Sequence, residues 1–362
     1  MQMPADGKCA PLHEAAVSLR TFDQQAVHGY RRCAVREFLS MKYSRPLRPV
    51  VAACALLFTP VIDAEDAPAF LRAIETDAKL RAIQTGTVEY RPAGGAGPNV
   101  LLVSVSHLGT PEYYAALQKR LDAQTVVLFE GVGFDERMKS GPRAKADDDG
   151  IQKQLSDALG LTFQLDAIDY RRKHFINSDL PVAGVQKKVR EKTAANGTEG
   201  ANETFDTLMQ AISGSAQTAE MLKPVMAFLN SSPEMRETTR LLLIEVLSRA
   251  DEMVAFAKSV SPEMNDLFDV LLTERNAIVI RDVKKQIARL KPGQTVAVFY
   301  GAAHMTGLAK QLDEELHYAP AGTQWDTAFT ADPAKSPIPA PQLRMILDMV
   351  RAQLQQTPPE KP

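Results

Sequence analysis

Asn99-Val-Leu-Leu-Val-Ser-Val-Ser106, His107-Leu-Gly-Thr110 and Pro111-Glu-Tyr-Tyr-Ala-Ala-Leu-Gln-Lys-Arg-Leu121 follow one another without a break. This stretch decides the fold. Its first part is a short, apolar, β-branched run after the Gly/Pro-rich turn Ala93 to Pro98, and it reads as a buried strand. Thr110 is a good helix N-cap and Pro111 suits the first helical position, so a helix starts there. A buried strand, an elbow carrying His107, and a helix form one unit of an α/β sheet.

The pattern recurs. Thr295-Val-Ala-Val-Phe-Tyr300 is a second buried strand, Gly301-Ala-Ala-His304 follows it, and a helix is expected from about Thr306 to Leu316. Thr125-Val-Val-Leu-Phe129 is a third strand, ending at Glu130. Thr162-Phe-Gln-Leu-Asp-Ala-Ile-Asp169 reads as a fourth, its end carrying Asp166 and Asp169. Thr323 to Thr330 is a possible last strand. The fold class is therefore α/β, a mixed central β-sheet flanked by helices. Met209, Ile212, Met221, Leu229, Leu242, Val246, Leu267, Leu271 and Ile280 recur at roughly helical spacing. A large helical insertion at about 180–290 is expected to cover the carboxyl-end rim of the sheet. The domain spans 65–330, with a proline-rich connector and a C-terminal helix in 331–362.

Composition divides the chain in two. Cys9, Cys33 and Cys54 are its only cysteines, and residues 1–64 hold eight Lys+Arg against five Asp+Glu. Met41 opens a basic stretch followed by apolar Val50 to Ile62 and the small residue Ala64, the arrangement of a secretory signal peptide. Residues 41–64 are read as that signal and 1–40 as an over-extended start. The apolar run is too short to span a bilayer as a helix, and no stable span is expected in the mature chain. The remainder is acidic and thiol-free, with His107, His174, His304 and His317 as its only histidines. Nucleic acid is not expected as a partner, because phosphate binding needs a basic excess.

Chemistry in a thiol-free chain falls to histidine and carboxylates. His107, Glu130, Asp166 or Asp169, and His304 all follow apolar strands, and in an open α/β sheet ligands bind beyond the carboxyl ends. Ser104-Val-Ser-His107 and Gly301-Ala-Ala-His304 read as equivalent elbows. Two imidazoles and a carboxylate at such a rim suit a divalent metal with an open position, or a metal-free His/Glu hydrolase. His174, in the basic cluster Arg171-Arg-Lys-His174, reads as a surface or ion-pairing residue. His317 closes a helix, where a cation suits the dipole. There is no Gly-x-Ser-x-Gly elbow, phosphate loop or His-Glu-x-x-His helix.

Ser106-His-Leu-Gly-Thr110, Leu128-Phe-Glu-Gly131, Asp166-Ala-Ile-Asp-Tyr170, Asn177-Ser-Asp-Leu180, Glu274-Arg-Asn276 and Gly301-Ala-Ala-His304 resemble the TraB/GumN family. That family is grouped with the TIKI metalloproteases and, more distantly, with erythromycin esterase-like and ChaN-like proteins. The resemblance covers roughly Thr87 to Leu316. It implies a divalent-metal site of the Mn, Co or Zn type for peptide hydrolysis, held by His107, His304 and Glu130. Asp166 or Asp169 would complete or orient that shell. It further implies that Arg275 holds a substrate carboxylate or the developing oxyanion, with Asn276 assisting. Ser104 stands where the family more typically has Gly. Arg171 and Arg172 are candidates for binding an anionic substrate end.

The expected activity is that of an exported metal-dependent peptidase or hydrolase acting on a peptide or small molecule, periplasmic or secreted. The rivals are a metal-free esterase-like enzyme and a periplasmic peptide- or haem-binding protein. Cleavage is expected near Ala64, so amino-terminal sequencing of the exported protein should begin close to Glu65. A product beginning at Met1 would refute the signal.

Overall fold

The computed structural model describes residues 69–131, 151–198, 200, 202–206, 229 and 232–354. The signal at 41–64, its cleavage point, the three cysteines and the helical positions Met209 to Met226 lie outside these residues. Ala67–Pro362 forms one compact unit.

The described residues contain nine strands: β1 (Leu71–Glu75), β2 (Arg81–Pro92), β3 (Asn99–Val105), β4 (Leu108–Gly109), β5 (Val126–Phe129), β6 (Thr162–Phe163), β7 (Phe175–Asn177), β8 (Thr295–Gly301) and β9 (Tyr318–Ala331). Seven build one mixed sheet and β4–β6 form a separate two-residue ladder. Strands β3, β8, β5 and β7 are parallel neighbours in that order. On the other side of β3 the sheet turns antiparallel. β9 runs along the whole of β2, while β1 pairs with its first half and β3 with its second.

The parallel strands are apolar throughout because both faces are covered. Along β8, Val296, Val298 and Tyr300 face helices α8 (Arg275–Ile287) and α9 (Ala302–Leu316), packing on Val279, Val283, Met305, Leu308 and Leu312. Ala297 and Phe299 point the other way, into a core shared with α1 (Pro111–Asp122), α5 (Pro233–Leu247) and the C-terminal helix α10 (Ala340–Leu354). Alternation at period two thus distributes one strand between two cores. Helices α2 (Ile151–Ala158), α3 (Gln164–Ala167), α4 (Val182–Asn196), α6 (Ala250–Val260) and α7 (Pro262–Phe268) lie among the described residues as well, with a π-helical turn over Asp269–Glu274.

Three helices start alike: Thr110-Pro-Glu, Ser232-Pro-Glu and Ser261-Pro-Glu. In each, the hydroxyl accepts from the backbone N–H three residues on, Pro fills the first position and Glu meets the positive end of the dipole.

Three expectations need correcting. The stretch 162–169 is not a strand: only Thr162–Phe163 pairs, against Leu108–Gly109, and the chain then coils through one helical turn. The fourth parallel strand is the three-residue β7, which ends at Asn177. Helix α9 begins at Ala302, so His304 lies in its first turn. Within the region 180–290, α5 packs on the sheet face through Leu241 and Ile244.

A buried carboxylate ties α10 to this body. Glu245 on α5 has its side chain 4% exposed, and Arg351 on α10 grips both of its oxygens, at 2.6 and 2.8 Å. Arg249 adds a third bond of 3.3 Å. Burial pushes the Glu245 carboxyl up, but Arg351 and Arg249 together hold it below its ordinary value. A depressed carboxyl stabilises the fold above its unfolded pKa, and that stability is lost as pH falls through the folded value. Glu245→Gln, which leaves two guanidinium groups facing a neutral amide, is expected to lower unfolding free energy by about 3 kcal/mol at pH 7. Denaturant titration at pH 7 and in mild acid should show the deficit shrinking in acid; an equal deficit at both would contradict the charge argument.

Candidate active site

The carboxyl ends of β3, β8, β5 and β7 share one rim, as parallel pairing requires. Four side chains extend from it: His107 two residues beyond β3, Glu130 one beyond β5, Asp179 two beyond β7, and His304 three beyond β8. Arg275 and Asn276 reach in from the start of α8, directly after the π turn, a distortion frequent at functional sites.

Arg275 is the centre of this group and is 5% exposed. Its Nε and Nη2 donate to the two oxygens of Asp179, at 2.8 and 2.7 Å. Nη2 also donates to Glu130 Oε1 at 2.7 Å. Nη1 donates to the Leu271 carbonyl at 3.0 Å and lies 3.2 Å from His304 Nε2. A guanidinium has five N–H donors, and all five are matched here. Asp179 is wholly buried and also accepts from the N–H groups of Gly131 and Leu180.

The tautomer of His304 follows from its partners. Asn276 Nδ2 donates to the His304 carbonyl at 3.1 Å, which turns Asn276 Oδ1 towards His304 Nδ1, at 2.7 Å. Nδ1 therefore carries the proton and Nε2 accepts from Arg275. Gly307 allows this approach: a methyl carbon there would stand 2.7 Å from the Asn276 amide nitrogen. His304 is 3% exposed, with both ring nitrogens engaged.

Glu130 faces the opening of the site, with 17% of its side chain exposed. Oε1 accepts from Arg275 and Oε2 from the Gly301 N–H at 2.8 Å. Burial alone would raise this carboxyl. The Arg275 guanidinium bound to Oε1 overcomes that effect and holds it well below the usual carboxylate range. His107 is exposed, and its Nδ1 lies 2.8 Å from Gln164 Oε1. A methyl carbon on Gly301 would lie 3.2 Å from Glu130 Oε2 and 3.5 Å from His107 Nε2. Both atoms therefore stand close over the side of Gly301 that carries no side chain.

Register explains why two similar motifs end so differently. Ser104 pairs with Tyr300 and Val105 with Gly301, so Ser104 and Gly301 are offset by one residue in the sheet. A one-residue offset reverses the face on which side chains emerge. The two elbows are not equivalent, and only His107 is open to solvent.

Other expected residues sit elsewhere. Asp169, Arg171 and Arg172 precede β7, at the amino end of the parallel strands. Asp169 binds Arg171 at 2.9 Å, and Arg172 binds Asp122 at 3.1 Å. The Arg171 hydrogen bond is the main cause holding the Asp169 carboxyl below its ordinary value. Asp166 is exposed on the one-turn helix whose Gln164 is the residue that reaches His107. The carboxylate expected from Asp166 or Asp169 at the rim is supplied instead by Asp179, two residues past an unexpected strand. Arg275 has no donor left for a substrate, and Asn276 holds His304. His174 Nε2 lies 3.3 Å from the Leu121 carbonyl, and His317 closes α9 in the left-handed region.

A metal held by His107, His304 and Glu130 would need both Nε2 atoms free. Arg275 donates to His304 Nε2 and to Glu130 Oε1, and among the described residues no three His, Cys, Asp or Glu side chains are grouped to hold an ion. The donor set does not fit an ion in this arrangement. Among the described residues no helix is long and apolar enough to cross a membrane. No family model, curated protein or solved structure matches the chain.

Arg275→Met would leave Asp179 and Glu130 without their cation. Unfolding free energy at pH 7 is expected to fall by about 3–5 kcal/mol. Glu130 is depressed in the wild type, so its contribution is present above the ordinary carboxylate range and lost in acid. The deficit should therefore narrow towards pH 4 in denaturant titrations. A loss below about 1 kcal/mol at pH 7 would show that the ion pair does not hold the rim together.

Proposed function

We propose that the chain is an exported hydrolase of the His/Glu type, cleaving an ester or amide bond in a peptide or small molecule. The observation that carries this reading is His107 itself. It is the exposed imidazole at the rim, its Nδ1 is held by Gln164, and its Nε2 lies over Gly301 beside an ionised carboxylate.

In that setting Nε2 takes a proton from a water beside Glu130 as the water attacks the substrate carbonyl. The imidazolium then gives that proton to the leaving oxygen or nitrogen as the ester or amide bond breaks. Glu130 orients the water and offsets the positive charge that then develops on His107. The amino end of α9 lies at the same rim without a side-chain cap, and its N–H groups and dipole favour the developing oxyanion. Arg275, Asp179 and Asn276 do not touch the substrate; they fix Glu130 and His304 in place. The resemblance to TraB/GumN proteins agrees with hydrolysis at this rim, and the saturated state of Arg275 and His304 favours the metal-free version. Export rests on the signal read at 41–64.

His107→Ala is expected to lower hydrolysis of an ester or peptide substrate at least 100-fold, the ordinary contribution of a general base. Wild-type protein dialysed against a chelator should keep its full rate. A rate that disappears with chelation and returns with Mn, Co or Zn would establish the metal-dependent reading instead. Ligand binding without turnover, unchanged by His107→Ala, would establish the binding-protein reading.

A further inference from the structure

Gln164 is a buried polar residue, 4% exposed, on a helix of one turn. The β4–β6 ladder pairs Leu108 with Phe163 and Gly109 with Thr162. Continued by one step, that pairing sets Gln164 opposite His107, and the Gln164 N–H donates to the His107 carbonyl at 2.9 Å. The backbones are thus fixed before the side chains meet. Gln164 Oε1 then lies 2.8 Å from His107 Nδ1, and its Nε2 lies 2.8 Å from the Tyr170 hydroxyl. Tyr170 is buried, with its ring against Phe129, Phe175 and Phe299 at centroid distances of 5.0, 6.4 and 6.4 Å.

We infer that Gln164 is a positioning residue that fixes His107 as the Nδ1–H tautomer and leaves the Nε2 lone pair free beside Gly301 and Glu130. The inference rests on the hydrolase reading for its consequence, though not for its geometry. An imidazole presents a basic nitrogen only when its proton sits on the other one, and the partner of that other nitrogen decides which it is. A carboxamide does so without adding charge, and it cannot itself take up the proton. Asn276 holds Nδ1 of His304 in the same way, at 2.7 Å. The opposite amide orientation, with Tyr170 donating to Oε1, would put the His107 proton on Nε2 and leave no base there.

The test uses the full chain labelled with 15N-histidine, with the His107 signal assigned by its loss in His107→Gln. Long-range 1H–15N correlation at pH 8 is expected to show the Nδ1–H form for His107 in the wild type. Gln164→Leu, of similar size but without an acceptor, should give a mixture of both tautomers; Gln164→Glu, which keeps an acceptor, should retain Nδ1–H. In hydrolysis, Gln164→Leu should lower kcat at least about tenfold with KM within about twofold, since the wrong tautomer impairs proton transfer rather than binding. An Nε2–H form in the wild type, or an unchanged tautomer in Gln164→Leu, would overturn the assignment. Should Gln164→Leu fail to fold, the wild-type spectrum and Tyr170→Phe, expected to partly mix the tautomers, decide it. Hydrolysis that survives His107→Ala would sink the reading of His107 as the base, and absence of any hydrolysis by the wild type would sink the hydrolase reading; either leaves the tautomer result standing, so the failures are distinguishable.

Discussion

Two carboxylates at neighbouring strand ends, Glu130 and Asp179, share one guanidinium, and the rest of the rim is arranged around it. Two ionised carboxylates cannot be buried side by side without a cation, and removing one partner from such a group leaves an uncompensated charge. Asp179 takes the guanidinium in a two-point fork while Glu130 takes one remaining hydrogen. The fork fixes Arg275 in orientation as well as position. The helical insertion is therefore more than a cover, because the sheet end cannot hold its charges unless this segment delivers Arg275. Lys188 and Lys192 on α4 bind Glu274 and Asp269, anchoring the π turn from the other side.

What was legible in the sequence was whatever burial imposes in a simple pattern. Strands β3, β5 and β8 are apolar on both faces and stand out at once. Helix α1 announces itself by Thr110-Pro-Glu, and the same signature at Ser232 and Ser261 carries the same information. Strand β2 does not stand out, because Thr85 and Thr87 are buried among its apolar residues. Their hydroxyls meet Tyr113 and Arg120 on a helix more than 25 residues away, so a segment that looks half-polar is satisfied only by the tertiary structure. Strand β7 is three residues long and follows a basic cluster, too short for any periodicity to appear. Without a periodic signal for β7, Asp166 and Asp169 stand out as strand-end carboxylates in the sequence, and Asp179 in Asn177-Ser-Asp-Leu180 does not.

The candidate site follows the same division. His107, Glu130, His304, Arg275 and Asn276 do converge, since each belongs to an element whose position the sheet dictates. Their roles were less legible, because role depends on which hydrogen-bonding atoms remain free. That count needs partners from distant segments: Asp179 for Arg275, Asn276 for His304 and Gln164 for His107. No local pattern marks Gln164, a single polar residue in a segment that reads as a strand.

The contrast between His107 and His304 shows how little separates a structural imidazole from a reactive one. Both follow a parallel strand after a small residue and two more positions, and both meet a carboxamide oxygen at Nδ1. The one-residue offset between Ser104 and Gly301 sends one ring outward, while the other lies in the first turn of α9. His304 then loses its remaining nitrogen to Arg275, and His107 keeps its own. Ser104 records the same offset: its side chain shares a strand face with Leu102 and Tyr300, and its hydroxyl is buried without a hydrogen-bond partner. An unsatisfied buried hydroxyl carries a cost of about 1–3 kcal/mol. The position therefore behaves as part of the packed sheet, whereas Gly301 is the residue whose missing side chain lets Glu130 and His107 approach the end of β8.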